Sequence, residues 1–158
     1  MEFENDIKII ATPDIFEKLK TCVKHASPNE ACGLVFGSIK EVKTNQGYEY
    51  HYIGQMFECI ESSNKSTVAF LMDNIEELNK LYQKAAQKYN MRLISIFHSH
   101  PGGAFPSGID RHNMEHLNNF KAFKNLIWTI MDAGNNDLNG FIYYNQEILQ
   151  LVVNINKD

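Results

Sequence analysis

Two histidines stand two residues apart in the stretch FHSHPGGAFPSGID, directly after the apolar run Met91–Phe97. The run has the length and composition of a buried β-strand, which predicts that the histidines lie at the end of that strand. Side chains two residues apart in a strand point to the same face, so His98 and His100 project together while Ser99 points away. The chain therefore has to build a sheet in which one strand end carries two adjacent imidazoles.

The residues after this strand provide a third group for the same place. Pro101 ends the strand, and Gly102 and Gly103 let the chain turn sharply, so that the loop can return Asp110 toward the histidines. Two histidines and one aspartate suit a catalytic zinc ion, which typically takes three protein ligands and leaves a fourth position for water. Zinc lowers the pKa of such a water to about 7. The stretch predicts one hydrolytic Zn²⁺ per chain.

Two further side chains fit the chemistry of a zinc hydrolase. Ser107 stands three residues before Asp110, and its hydroxyl is expected to face the open side of the metal, where a donor stabilises a developing oxyanion. Glu30, in the stretch PNEACGLVFG, directly precedes a strand that is apolar on both faces. A carboxylate at the end of such a dry strand is well placed to take a proton from water.

The other patterns along the chain predict a single α+β domain over residues 1–158. Apolar or alternating runs predict the strands Ile7–Ala11, Ala31–Ser38, Tyr48–Ile60, Thr67–Met72, Met91–Phe97 and Leu126–Met131, and a hairpin within residues 141–155 that turns at Asn145–Gln146. Two amphipathic helices separate them, one starting at Thr12–Pro13 and ending before Pro28, the other starting at Asp73 and ending at Asn90. A short polar helix is expected after Asp110. The expected architecture is a mixed central β-sheet with two long helices packed on it.

The charge balance narrows the class of partner. The chain carries 15 Lys and Arg residues against 19 Asp and Glu residues, a net charge of -4, and it has no basic run. This argues against nucleic acid and against an anionic membrane surface as the main partner, because both reward clustered cations. No segment approaches the ~20 apolar residues of a membrane-spanning helix.

The cysteines and the first residues predict a cytoplasmic protein. Cys22, Cys32 and Cys59 are odd in number and irregularly spaced, which indicates neither a disulfide framework nor a zinc ribbon. Each is expected to be a small buried apolar residue. The start MEFENDIKII lacks the basic and apolar regions of a signal peptide, so a reducing compartment is the simplest interpretation.

Glu30 in PNEACGLVFG together with the HSHP…SGID stretch resembles the JAMM motif of the JAMM/MPN+ zinc metallopeptidases, and the resemblance extends over most of the chain. It implies zinc held by His98, His100 and Asp110, with Glu30 as general acid/base and Ser107 as oxyanion stabiliser. It also implies a cytidine-deaminase-like α/β fold. The activity implied is hydrolysis of the isopeptide or peptide bond after the C-terminus of ubiquitin or a ubiquitin-like modifier.

The chain departs from the family pattern in one place. The family usually has seven residues between the second histidine and the serine, whereas six, from Pro101 to Pro106, stand here. The two glycines are expected to absorb the shortening, with a larger shift at Ser107 than at Asp110. The long insertions of linkage-specific eukaryotic deubiquitinases are also missing, which is typical of a stand-alone prokaryotic member.

Each candidate residue also has a simpler interpretation. A lone histidine on a strand is usually structural, Asp110 could be a helix N-cap, Ser107 a turn residue and Glu30 a surface charge. The joint occurrence of all five residues favours the metal site.

Residues outside this set have mostly structural interpretations. His112 and His116 stand four apart and are expected to be exposed, since no third ligand for a second metal is evident. The core is expected to take the other aromatic residues of this region, Phe97, Phe120, Phe123 and Trp128. Phe105 is the exception, because it lies on the site loop and is expected to line a substrate groove.

The leading prediction is a zinc-dependent metallopeptidase or isopeptidase whose substrate is a ubiquitin-like protein or its conjugates, bound as an added strand along a sheet edge near the site. The alternative from another class is a non-catalytic MPN scaffold. A zinc hydrolase that processes a sulfur-carrier protein or a small amide has the same site. A zinc deaminase is disfavoured because a PCxxC element is absent. Association into a homo-oligomer stays open.

Overall fold

The computed structural model describes residues 6–60 and 74–155. In chain order these residues form β1 (Ile7–Ala11), α1 (Pro13–Ala26), β2 (Cys32–Thr44), β3 (Gly47–Ile60), α2 (Ile75–Tyr89), β4 (Arg92–His100), α3 (Gly108–Leu117), β5 (Ile127–Asp132), β6 (Leu138–Tyr144) and β7 (Glu147–Ile155), with a 3₁₀ turn at Lys121–Phe123. The predicted strand Thr67–Met72 and the predicted helix start at Asp73 lie outside the described residues.

The strands form one closed barrel in the order β1-β3-β2-β4-β5-β6-β7. β1 is parallel to both β3 and β7, and β4 is parallel to β5, whereas the remaining pairs are antiparallel. The predicted mixed sheet and the predicted α+β class are confirmed. Closure of the sheet through β1 was not predicted, and kinship with the cytidine deaminases stays a prediction.

The first long helix begins and ends at the residues that the sequence indicates, and the second ends where it was predicted to end. The Thr12 hydroxyl accepts a hydrogen bond from the N–H of Ile15 at 3.2 Å, and Pro13 occupies the first turn of α1. α2 ends at Asn90, which adopts the left-handed conformation that closes many helices. Each helix buries one apolar stripe against the barrel, with Leu19 in the middle of α1 and Leu78 and Ala85 along α2.

β4 lies between β2 and β5 and is buried from Ile94 to Ser99. Successive side chains enter different clusters, since Ile96 packs with residues of α2 and α3 while Phe97 packs with residues of α1. The same alternation directs His98 toward α3 and Ser99 toward α1. β4 thus places both histidines on one face of the sheet.

The structure overturns the prediction that the cysteines form no disulfide. Cys22 of α1 and Cys59 of β3 are bonded to each other across 37 residues of sequence. An odd count and irregular spacing say nothing about which residues the packing of α1 on β3 brings together, so the argument for a reducing compartment no longer holds. Cys59 is exposed rather than buried. Cys32 is free and buried as predicted, and burial raises the pKa of its thiol to about 12.

The third helix also differs from its prediction. α3 begins at Gly108, two residues before Asp110 rather than after it. Asp110 therefore belongs to the first turn of this helix, where its backbone is fixed. Across the described ranges, no helix is long and apolar enough to cross a membrane.

Candidate metal centre

The three predicted ligands converge on one point between the end of β4 and the start of α3. His98 Nε2 lies 3.2 Å from His100 Nε2 and 3.2 Å from Asp110 Oδ1. His100 Nε2 lies 3.0 Å from Asp110 Oδ2. Over the described residues this is the cluster of histidine, cysteine and acidic side chains whose ligand atoms come within metal-binding distance of one another. The strand alternation and the return of the loop, both predicted from the sequence, bring these groups together.

The separations of the ligand atoms fit a small tetrahedral ion. Bonds of about 2.0–2.1 Å, as zinc makes with imidazole nitrogen and carboxylate oxygen, give a tetrahedron with edges of about 3.3–3.4 Å. The observed separations of 3.0 to 3.2 Å are slightly below this value, and the two that involve Asp110 reach different oxygens of its carboxylate, Oδ1 from His98 and Oδ2 from His100. Two imidazole nitrogens and a carboxylate also match the chemistry that zinc prefers. The donor set therefore suits a divalent metal of this size.

Packing fixes the ring of His98. The side chain is fully buried, and its ring meets Trp128 edge-on with the centroids 6.1 Å apart. Its Nδ1 atom has no hydrogen-bond partner within the described part of the chain. The hydrogen bond that commonly orients a metal-binding histidine through its second nitrogen is absent among the described residues, and the ring is held by packing alone.

The cluster is an ion pair as well as a set of ligands. The hydrogen bond to Asp110 raises the pKa of His100, and the charge of Glu30 contributes to the same rise. Burial by itself raises the pKa of the Asp110 carboxyl group, but the hydrogen bonds from His100 and His98 outweigh burial and hold this pKa well below its usual range. A carboxylate that stays ionised in a partly buried place is a suitable metal ligand.

A capping box fixes Asp110 relative to Ser107. The Ser107 hydroxyl accepts a hydrogen bond from the N–H of Asp110 at 3.1 Å, and the Asp110 carboxylate accepts one from the N–H of Ser107 at 2.8 Å. The N-cap is therefore Ser107, and the alternative in which Asp110 caps the helix is wrong, because Asp110 is the third residue of α3. The shortened loop is compatible with a regular helix start.

The two roles of the Ser107 hydroxyl do not compete. As the helix cap it accepts a hydrogen bond, and a serine hydroxyl has one proton to donate in addition. That proton stays available for an oxygen atom in the site. The structure thus brings Ser107 beside the ligands, while its role as oxyanion donor stays a prediction.

Glu30 lies next to the ligand strand through the backbone of its neighbour Ala31. The N–H of Ser99 donates to the Ala31 carbonyl at 3.1 Å, and the N–H of Ala31 donates to the Ser99 hydroxyl at 2.8 Å. Glu30 is half-buried and close enough to His100 for its charge to act on the imidazole. It makes no hydrogen bond to the ligands in the described ranges, so its role as acid/base stays a prediction.

Sequence reasoning missed Ser99. Ser99 points away from the metal site, as predicted, yet its buried side chain joins the segment of Glu30 to β4. The signal was present in the sequence, because a hydroxyl in an otherwise apolar buried strand needs a hydrogen-bond partner.

The remaining predictions near the site divide by exposure. His112 and His116 are both exposed on α3, and no third metal-ligating group accompanies them within the described residues. Phe105 is 59% exposed, and its role in a substrate groove stays a prediction. Of the aromatic residues predicted for the core, three are buried, whereas Phe120 is 37% exposed.

Both the sequence and the structure have relatives among known proteins. The family described as "Prokaryotic homologs of the JAB domain" matches residues 12–141, a range that contains every candidate site residue. No curated protein matches the sequence. Among solved structures, the solution structure of protein DSY2949 from Desulfitobacterium hafniense is similar, with a TM-score of 0.69 and 22% sequence identity over 95% of this chain and 94% of that one. At this identity the likeness is one of fold.

Proposed function

Because the chain belongs to the family of prokaryotic homologs of the JAB domain, we propose that it is a zinc-dependent metallopeptidase or isopeptidase. Its substrate is the peptide or isopeptide bond that follows the C-terminus of ubiquitin or a ubiquitin-like modifier. One zinc ion is held by His98, His100 and Asp110. Glu30 is the general acid/base, and Ser107 is the oxyanion donor.

The observation that carries the proposal is the convergence of three metal-ligating side chains from two different elements. Two of them come from the end of a buried strand and one from the first turn of a helix. Their ligand atoms lie 3.0 to 3.2 Å apart. Without a metal, a buried and a partly buried imidazole that share one carboxylate are an unusual arrangement for stability alone. One bound metal ion accounts for the positions of all three side chains.

The chemistry divides between the metal and the chain. When bound, zinc supplies a Lewis acid and makes hydroxide available near neutral pH. The Glu30 carboxylate takes a proton from the attacking water and passes it to the leaving amine. The Ser107 hydroxyl donates to the carbonyl oxygen as that oxygen gains negative charge, a contribution of about 3 kcal/mol for one such donor.

Exposed apolar side chains beside the site support a polypeptide substrate. Phe105 is 59% exposed and Ile109 is 72% exposed, and they flank Ser107 in the sequence. The Phe105 ring contacts Phe141 edge-on, with 6.2 Å between the centroids, so its position is set although much of it is accessible. Apolar groups at the rim of a polar centre suit a substrate tail that carries apolar side chains.

The proposed binding of the tail along a sheet edge is supported by an open stretch of β3. Within the described residues, β3 pairs with β1 only from residue 50 to residue 54, and its last five residues, 56–60, pair on the β2 side alone. Ile60 pairs with Cys32, which in turn pairs with His98. This edge therefore ends close to the ligand strand, and we propose that an extended substrate tail adds to it.

Zinc stoichiometry of the purified protein tests the proposed metal site. We expect about one zinc ion per wild-type chain and none in His100→Ala or Asp110→Ala, because each variant leaves only two ligands. His112→Ala is the matched control, since it removes an exposed histidine outside the cluster, and it should bind zinc like the wild type. A wild-type chain that binds no zinc after reconstitution would contradict the proposal and favour the non-catalytic scaffold.

Cleavage assays test the proposed chemistry. A panel of ubiquitin-like proteins with C-terminal extensions or isopeptide-linked partners would be incubated with the zinc-loaded protein, with and without a chelator. Glu30→Gln should retain zinc but lose at least ~100-fold in rate, because it removes the proton carrier. Glu115→Gln, at an exposed carboxylate of α3, should cleave like the wild type. Equal cleavage by Glu30→Gln and wild type would refute the role of Glu30.

The same panel separates the remaining substrate classes. Cleavage of a small amide, or of a sulfur-carrier protein alone, would show that the protein is a zinc hydrolase with that narrower substrate. Zinc binding without any chelator-sensitive cleavage across the panel would leave a metal-binding module and would contradict the peptidase.

A further inference from the structure

Asp132, the last residue of β5, holds the loop that connects the histidines to the third ligand. It is paired with His100 in the parallel β4–β5 ladder, and the N–H of the next residue, Ala133, donates to the His100 carbonyl at 2.8 Å. The Asp132 side chain therefore starts at the level where the ligand strand ends. It lies outside the proposed set of ligands and catalytic groups.

Two backbone N–H groups donate to the Asp132 carboxylate. Gly103 donates to Oδ2 at 2.8 Å, and Gly134 donates to Oδ1 at 2.7 Å. These two hydrogen bonds lower the pKa of the carboxyl group. The bond to Gly134 closes the local turn after β5, but the bond to Gly103 reaches a loop 29 residues earlier in the chain. Only the bond to Gly103 affects the site.

Gly103 is the point at which the shortened loop changes direction. Its φ of +86° lies in the region that favours glycine, so the chain turns there at no steric cost. The next residue, Ala104, is buried, and its carbonyl accepts a hydrogen bond from the Asn139 side chain at 3.0 Å. Two successive residues of the loop are thus fixed by side chains from β5 and β6.

The chain has three residues left between this anchor and the capping box. Ala104 leads through Phe105 and Pro106 directly to Ser107, whose hydrogen bonds with Asp110 fix the third ligand. Over so short a connection, a displacement of Gly103 that also disturbs Ala104 is expected to move Ser107. The position of Asp110 relative to the histidines therefore depends on the loop anchor.

We propose that Asp132 is a positioning residue for the metal centre, acting through the N–H of Gly103 on the placement of Ser107 and Asp110. This inference rests on the proposed metal site for its effect on zinc, but the loop anchor itself is independent of that proposal. Residues that orient metal ligands from outside the ligand set commonly change metal affinity by roughly 10–100-fold when removed.

The test compares Asp132→Ala with the wild type by amide hydrogen exchange and by zinc titration against a competing chelator. We expect faster exchange at the amides of Gly103, Ser107 and Asp110, unchanged exchange in β4, and about ten-fold weaker zinc binding. Asp132→Asn keeps one acceptor oxygen for the two donors and should give an intermediate effect. Asp137→Asn is the matched control in the same turn. Asp137 accepts a hydrogen bond from the N–H of Asp132 with its backbone carbonyl, which this substitution leaves in place.

Three results would overturn the proposal. The first is unchanged exchange at Gly103 in Asp132→Ala. The second is wild-type zinc affinity despite faster exchange at Gly103, because the anchor would then not reach the ligands. The third is equal acceleration throughout β4 and the loop, which would make Asp132 a general stabiliser of the fold. Should the wild type bind no zinc, the metal proposal fails, and the exchange at Ser107 and Asp110 decides whether Asp132 positions them.

Discussion

Ser99 stands between two metal ligands and yet acts on the other side of the strand. Its backbone N–H and its hydroxyl engage both polar groups of Ala31, and this brings the chain at Glu30 up to β4. The hydroxyl is buried, so the N–H that it accepts from has no access to water as a replacement. One side chain thus joins the proposed acid/base to the proposed ligands.

Replacement of Ser99 should lower the stability of the fold and leave zinc binding unchanged. Ser99→Ala leaves the Ala31 N–H buried without an acceptor, which should lower the free energy of unfolding by about 1–3 kcal/mol. The ligands face away from this position, so zinc stoichiometry should equal that of the wild type. Chemical denaturation and metal analysis check the two expectations. Ser99→Thr retains the hydroxyl and is the control; a loss of zinc in Ser99→Ala would show that the tie also shapes the ligand set.

The His100–Asp110 pair should give the metal-free protein a bounded range of pH stability. The pKa of His100 is raised, so its contribution is complete below the unfolded value of about 6.5 and is lost as the pH rises through the folded pKa. The pKa of Asp110 is lowered, so its contribution is present above about 3.9 and is lost as the pH falls through the folded pKa. The pair therefore stabilises most between about pH 4 and pH 6.5.

Denaturation of metal-free wild type and His100→Gln across the pH range measures this effect. The difference between their free energies of unfolding should be largest inside that window and should shrink on both sides. His112→Gln, at an exposed histidine of α3, should follow the wild type at every pH. A difference that grows above pH 7 would contradict the assigned sign.

At the scale of elements, the sequence predicted what local signals control. The start of α1 at Thr12 and its end before Ser27, and the turn at Asn145–Gln146, depend on residues adjacent in the chain. The predicted start of α3 was wrong because Ser107 was interpreted as an oxyanion donor or a turn residue, although serine followed three residues later by an acidic residue is also a capping signal. A serine hydroxyl that accepts the capping hydrogen bond can still donate its own proton.

The disulfide between α1 and β3 should stabilise the fold by constraining the unfolded chain. A link across 37 residues typically contributes about 2–4 kcal/mol. A reductant should therefore lower the denaturation midpoint of the wild type. The double variant Cys22→Ser/Cys59→Ser should unfold at a lower midpoint and should not respond to reductant.

Cys32→Ala provides the control for this experiment, because it removes the free buried thiol and leaves the disulfide intact. This variant should keep the full response to reductant. If the double variant responds to reductant as strongly as the wild type does, the link between α1 and β3 does not form in solution.

At the scale of the whole molecule, the barrel could not be predicted because its closure depends on contacts between distant parts of the chain. β1 pairs with β3 and also with β7, whose paired residues lie more than 140 positions later in the chain. No local sequence pattern indicates such a pairing. The convergence of His98, His100 and Asp110 was predictable because the spacing of these residues reflects the geometry of a strand end and a returning loop. Ser99 and Asp132, which hold the site in place, act through hydrogen bonds to backbone groups. Such bonds require no fixed spacing in the sequence, so no pattern indicates them.

Metal binding should stabilise the entire fold, because the cluster joins the central strand of the barrel to a helix that packs on it. β4 and α3 contribute to the same apolar cluster, so a bond between their ends resists global unfolding rather than a local opening. Zinc at 100 times its dissociation constant adds about 2.7 kcal/mol to the free energy of unfolding. For a chain of this size that raises Tm by roughly 5–10 °C, and a chelator should reverse the shift.

The variants decide whether such a shift comes from this site. Asp110→Ala keeps the histidines but loses the residue that links α3 to β4, so its Tm should not respond to zinc, whereas His112→Ala should show the full shift. A zinc-induced shift of equal size in Asp110→Ala would place the ion elsewhere on the molecule. Because the response requires ligands from both elements at once, its loss in Asp110→Ala would demonstrate that the strand and the helix are joined through the metal.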